Sequence, residues 1–69
     1  MAEQNTPGTL IRKARQRQRM TQMQLAAALG VTKSSVANWE RDYHYPLRKA
    51  GAIEELLDIV LPEPEAAAS

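Results

Sequence analysis

Apolar residues in this chain return at helical spacing, and nowhere do they alternate as a half-buried strand would. The pattern predicts four helices. From Leu10 to about Arg19, Leu10, Ile11, Ala14 and Gln18 share one face while Arg12, Lys13, Arg17 and Arg19 ring the other. Leu25, Ala26 and Leu29 form the stripe of a short second helix, and Val36 and Trp39 point inward from a third. The fourth is expected from Leu47 to Val60, where Leu47, Ala50, Ile53, Leu56, Leu57 and Val60 keep the spacing. The expected core is Ile11, Ala14, Met20, Leu25, Ala26, Leu29, Val31, Val36, Trp39, Ile53, Leu56 and Leu57. The fold class is all-α, with no internal repeat.

Residues between the stripes supply the starts and stops. Thr6-Pro7 or Thr9 caps the first helix, since threonine caps well and proline is tolerated in the first turn. Thr21 followed by Gln24 fits a capping box, with Met20 as a hydrophobic staple ahead of it. Gly30 stands where a helix exits through a left-handed residue, and Thr32 is the next N-cap. Asp42-Tyr43-His44-Tyr45-Pro46 is the longest break, with Pro46 biasing Tyr45 away from helical geometry. Gly51 weakens the fourth helix by about 1 kcal/mol relative to alanine, and Pro62 and Pro64 stop it. The chain divides into a flexible N-terminal arm (1–8), a helical domain (9–61) and a flexible acidic tail (62–69).

The stretch from Thr21 to Arg41 organises the rest. Its turn is short enough to force a steep helix crossing, with the small Ala26 where the backbones approach, and the result is a helix-turn-helix. Lys33, Ser34, Ser35, Asn38 and Arg41 remain on the face of the third helix that does not pack, and such side chains hydrogen-bond base edges or phosphates. Geometry alone leaves two readings: an ordinary helical hairpin with a solvated face, or a DNA-reading helix.

Composition narrows the choice. Sixty-nine residues make one small domain. There is no cysteine and one histidine, His44, so no disulfide framework, metal centre or histidine-based catalytic set is expected. No nucleophile–base pair or phosphate loop appears, which argues against an enzyme and against any cofactor. No apolar run approaches the roughly 18 residues of a membrane span, and the polar MAEQNTPGT start lacks a secretory signal, so a soluble cytoplasmic protein is expected. Net charge is only +1, but its distribution is lopsided. All nine basic residues lie between Leu10 and Lys49 with two acids, Glu40 and Asp42; from Ala50 onward Glu54, Glu55, Asp58, Glu63 and Glu65 meet no base. That segregation favours a basic surface for a polyanion and an acidic region turned elsewhere.

With Arg15, the run Thr21-Gln22-Met23-Gln24-Leu25-Ala26-Ala27-Ala28-Leu29-Gly30-Val31-Thr32, then Val36, Trp39-Glu40 and Pro46, the chain resembles the Cro/repressor-type helix-turn-helix family from about Ile11 to Leu57. The resemblance implies a compact four-helix, lambda-repressor-like domain. Many relatives add a fifth helix, which the run Leu61-Pro62-Glu63-Pro64 opposes here. It also implies roles. Gln22 binds a backbone phosphate and reaches the first base contact; Thr32, Lys33, Ser34, Ser35 and Asn38 enter the major groove, with Lys33, Ser34 and Asn38 on base edges. Arg41 and Arg48 complete the expected DNA-binding set, and Arg48 shares with Tyr43, His44 and Tyr45 the region where relatives touch phosphates. Arg15 and Glu40 match a structural ion pair between the first and third helices. Asp42 departs from the family, which usually has glycine there.

The expected function is a sequence-specific regulator of transcription, a repressor or Cro-like switch, binding double-stranded DNA at an inverted repeat as a homodimer. The competing expectation is a protein-interaction module, an antitoxin or sigma-factor partner, docking through the acidic fourth helix.

Overall fold

The structure is a computed structural model and describes residues 6–62. Its helices are α1 Pro7–Arg17, α2 Gln22–Leu29, α3 Lys33–Glu40 and α4 Ala50–Leu57, with no strand among the described residues. One residue from each helix is wholly buried at the centre: Ile11, Leu25, Val36 and Ile53. Ala14, Ala26, Leu29, Trp39 and Leu57 close around them, and Met20 and Val31 pack half-buried against the rim. Ala26 is buried within this packing.

Local chemistry sets the helix starts. Thr21 and Gln24 make both halves of the capping box, the Thr21 hydroxyl accepting from Gln24 N–H at 3.0 Å and the Gln24 amide oxygen from Thr21 N–H at 2.8 Å. Thr32 caps α3 by accepting from Ser35 N–H at 3.2 Å. Thr6, the first of the two expected caps, accepts from Thr9 N–H at 3.2 Å, and α1 opens at Pro7 rather than Leu10. Of the expected arm, Pro7 and Gly8 therefore belong to the helix and Thr6 is its cap. The rest of the expected arm, and the acidic tail beyond Pro62, lie outside the described residues.

The early opening of α1 has a tertiary cause. Asp42 Oδ1 accepts from Gly8 N–H at 3.0 Å and Oδ2 from the Thr6 hydroxyl at 2.7 Å, so a carboxylate from beyond α3 satisfies donors at the positive end of α1. The two chain segments approach so closely that a Cβ on Gly8 would stand 2.4 Å from the Trp39 carbonyl oxygen and 2.7 Å from that of Glu40. The donor-rich start of one helix thus faces the carbonyl-rich end of another.

All four helices stop by one device. A left-handed residue follows each: Arg19 (φ 59°), Gly30 (φ 71°), Asp42 (φ 63°) and Asp58 (φ 59°). The next N–H then bonds back to a carbonyl five residues earlier: Met20 to Arg15 at 3.1 Å, Val31 to Ala26 at 2.9 Å, Tyr43 to Asn38 at 2.9 Å and Ile59 to Glu54 at 3.1 Å. Glycine fills this role once.

Asp58 corrects the expected fourth helix. Leu47–Lys49 is a turn, α4 spans Ala50–Leu57, and the helix ends at Asp58 before either proline is reached. Residues 59–62 then follow without regular secondary structure. Leu61 enters the core, its N–H donating to Glu54 Oε2 at 2.7 Å, and the Tyr45 hydroxyl donates to the Pro62 carbonyl at 2.8 Å. Leu61 takes the inward place expected of Leu56, which is 39% exposed, while Leu47 and Val60 are 71% and 83% exposed.

Gly8→Ala is expected to lower unfolding free energy by about 1–3 kcal/mol through overpacking against backbone that cannot yield cheaply. Urea denaturation of the two chains measures it, and an unchanged midpoint would contradict the close approach.

Candidate nucleic-acid interface

Turning by about 100° per residue, α3 directs Val36, Trp39 and Glu40 to the interior. The opposite side then falls along Ser34, Asn38 and Arg41, with Lys33 and Ala37 on one flank and Ser35 on the other. Thr32, Lys33, Ser34 and Arg41 are exposed; Ser35, Ala37 and Asn38 are half-buried. Ser35 is partly committed, since its hydroxyl lies 3.1 Å from that of the cap residue Thr32. Ala37 escaped the sequence reading because it carries no polar group, yet its position beside the polar line follows from helical spacing alone.

Behind this face lies the ion pair that fixes α3. Arg15 Nε donates to Glu40 Oε2 at 2.6 Å, Nη2 to Oε1 at 3.1 Å, and Nη1 to the Met20 carbonyl at 2.7 Å. Gln22 Nε2 adds a third donor to the same carboxylate, 3.0 Å from Oε1. One buried carboxylate therefore ties α1 and α2 to the last turn of α3, and Arg15 adds the α1–α2 connection through the Met20 carbonyl. Planar guanidinium and carboxylate match bidentately, which fixes angle as well as distance. Among the described residues no buried side-chain nitrogen or oxygen lacks a partner.

The same bonds shape the electrostatics. Glu40 is buried and bonded, and Asp42 is bonded to α1, so both acids of the basic stretch serve internal contacts. The other outward groups around the helix-turn-helix are cationic or neutral, while Asp42 keeps an exposed carboxylate beside Arg41. Arg41 is exposed at the end of α3, and Arg48 is exposed in the turn ahead of α4, separated from the α3 face by the 42–46 loop. Tyr43 and His44 are exposed in that loop, whereas Tyr45 turns to Pro62. Gln22, expected at a phosphate, sits half-buried at the first turn of α2 and uses one amide hydrogen on Glu40.

The helix-turn-helix family pattern matches residues 11–63, well over half of the chain. The chain belongs to the Cro/C1-type helix-turn-helix family. No curated protein and no solved structure matches it significantly. Membership carries the lambda-repressor-like fold and a DNA-binding, transcription-regulating kind of function, in a family of regulators and not of enzymes. Among the described residues of this helix-turn-helix, no helix is long and apolar enough to cross a membrane.

Truncating one member of the buried pair, by Arg15→Ala or Glu40→Ala, is expected to cost about 3–5 kcal/mol because the other charge stays buried without its partner. Replacing both with Met and Leu should recover most of the loss. Urea unfolding of the three variants checks this, and a double variant no better than either single one would show that packing, not charge, dominates at the site.

Proposed function

We propose that this helix-turn-helix protein is a sequence-specific repressor or Cro-like switch acting in the cytoplasm, with α3 laid in the major groove of double-stranded DNA. The observation that carries the reading is the outward line Ser34–Asn38–Arg41 with Lys33 beside it, on a helix whose own acid, Glu40, is buried against Arg15. Lys33 donates to guanine O6 or N7, Asn38 pairs with adenine, Ser34 serves either base, and the Ala37 methyl suits a thymine methyl. Thr32 and Ser35 hold the helix start and offer hydroxyls to phosphate. Gln22, anchored to Glu40 by one amide hydrogen, has another to give to the backbone beside the α2 N-terminus. Arg41 and Arg48 supply cationic contacts that set register rather than sequence.

A domain of this size reads few base pairs, so two copies on an inverted repeat, about 34 Å apart, give the specificity a regulator needs. Occupancy of such an operator excludes polymerase. The competing reading, a partner protein docked on α4, draws on the exposed Leu56 and Val60.

Selection of bound sequences from a random duplex pool should return a palindrome. Lys33→Ala and Asn38→Ala should each weaken the selected site by about 1–3 kcal/mol and random DNA much less; equal loss on both would reassign them to phosphate. Affinity should fall steeply with salt. Absence of binding to any duplex at low salt would refute the proposal.

A further inference from the structure

Two tyrosines in the loop after α3 behave oppositely. Tyr43 is 67% exposed, while Tyr45 is half-buried and its hydroxyl donates to the Pro62 carbonyl at 2.8 Å. Pro62 lies beyond α4, on the chain that has just placed Leu61 in the core and given its N–H to Glu54. The loop is therefore held from two directions. At its near end Tyr43 N–H donates to the Asn38 carbonyl of α3 at 2.9 Å, and at its far end Tyr45 is tied to the chain that returns after α4.

From Tyr45 to α4 the backbone keeps little freedom. Leu47 N–H donates to the Tyr45 carbonyl at 2.8 Å and Lys49 N–H to the Pro46 carbonyl at 3.1 Å. Pro46 is buried, and its ring fixes its own φ. Arg48 stands on the second of these turns, exposed. The Glu40 network sets α3 but stops at its last turn, and Arg48 lies past the 42–46 loop, so its placement needs a tie of its own. A long cationic side chain loses less freedom on meeting a ligand when the backbone beneath it is already fixed.

We infer that Tyr45 is a positioning residue for DNA binding. Its hydroxyl, anchored at Pro62, holds the turn that carries Arg48 so that the guanidinium meets a backbone phosphate beside the groove that α3 reads. Tyr45 acts through Arg48 and touches no DNA itself. The residues after α4 then serve recognition as well as the core, because they supply the fixed end of the tie. The inference deepens the proposed DNA reading and rests on it for the phosphate, but the tie itself is tested without DNA.

Tyr45→Phe keeps the ring and removes the hydroxyl. In the protein without DNA, hydrogen exchange at the Leu47 and Lys49 amides should quicken severalfold relative to the Ala14 amide inside α1. On a short random-sequence duplex at low salt, Arg48→Ala should weaken binding and lower the slope of log affinity against log salt by about 1. Tyr45→Phe should weaken binding by about fivefold, the scale of one lost hydrogen bond, and by no more than Arg48→Ala does. The decisive readout is the double-variant cycle. Tyr45→Phe should cost nothing further in the Arg48→Ala background, yet keep its full effect in the Arg41→Ala background. A purely structural role would weaken all three backgrounds alike. Equal losses in the three, or no loss in any, overturn the inference, as does unchanged exchange at Leu47 and Lys49. A wild type that binds no duplex refutes the DNA reading, and the role given to Arg48 falls with it.

Discussion

The direction in which α3 presents its outer face depends on the Glu40 carboxylate. It receives the Arg15 fork from α1 and the Gln22 amide from α2, while the remaining Arg15 nitrogen holds the Met20 carbonyl between those helices. Apolar contacts such as those among Ile11, Leu25 and Val36 are non-directional and would tolerate α3 sliding or rolling by a fraction of a turn. A bidentate ion pair does not. Two tasks therefore separate: the core at Ile11, Leu25, Val36 and Ile53 holds the helices together, and the Arg15–Glu40–Gln22 network sets where the outer face of α3 points. Buried ion pairs are weak contributors to net stability compared with apolar replacements, so orientation is the physical return that accounts for this one.

Much of the fold follows from short-range rules. The Thr21–Gln24 box, the Gly30 exit and the Thr32 cap are each set within four residues, and each lies where local chemistry places it. The misplaced bounds, the start of α1 and the end of α4, have a different origin. Helix ends at Arg19, Asp42 and Asp58 use left-handed non-glycine residues, a conformation that costs an L-residue about 1–2 kcal/mol and has no composition signature. α4 shows the consequence. Leu56 and Val60 continue the apolar period, but the reversal at Asp58 sends Leu61 inward instead, held by Glu54 and flanked by the Tyr45–Pro62 bond. The start of α1 depends on Asp42, 34 residues from Gly8, a separation at which no periodicity argument operates. Within the candidate interface, the polar line on α3 was legible because helical spacing and a packed opposite face define it. The division of Gln22 between Glu40 and solvent was not, because it requires knowing where the end of α3 lies.

The segregation of charge along the chain acquires a spatial meaning here. In the basic half, Glu40 is buried against Arg15, and Asp42 holds the start of α1 from an exposed position. In the acidic half, Glu54 ties down Leu61 while Glu55 faces outward beside the Gly51–Ala52 stretch. A basic helix-turn-helix and an acidic fourth helix thus coexist on a chain whose net charge is +1.

The junction between α1 and α3 also limits how this sequence can change. Asp42 accepts a strained backbone and in return satisfies the Gly8 amide; Gly8 gives up a side chain so that the Trp39 and Glu40 carbonyls can come near. A glycine at position 42 would relieve the backbone but leave the first turn of α1 without its acceptor, and a larger residue at position 8 would push that turn away from Asp42. Neither substitution has an energetic cost of its own that can be stated without naming the residue at the other position. In the landscape of viable sequences the two positions, 34 residues apart, behave as a single coordinate.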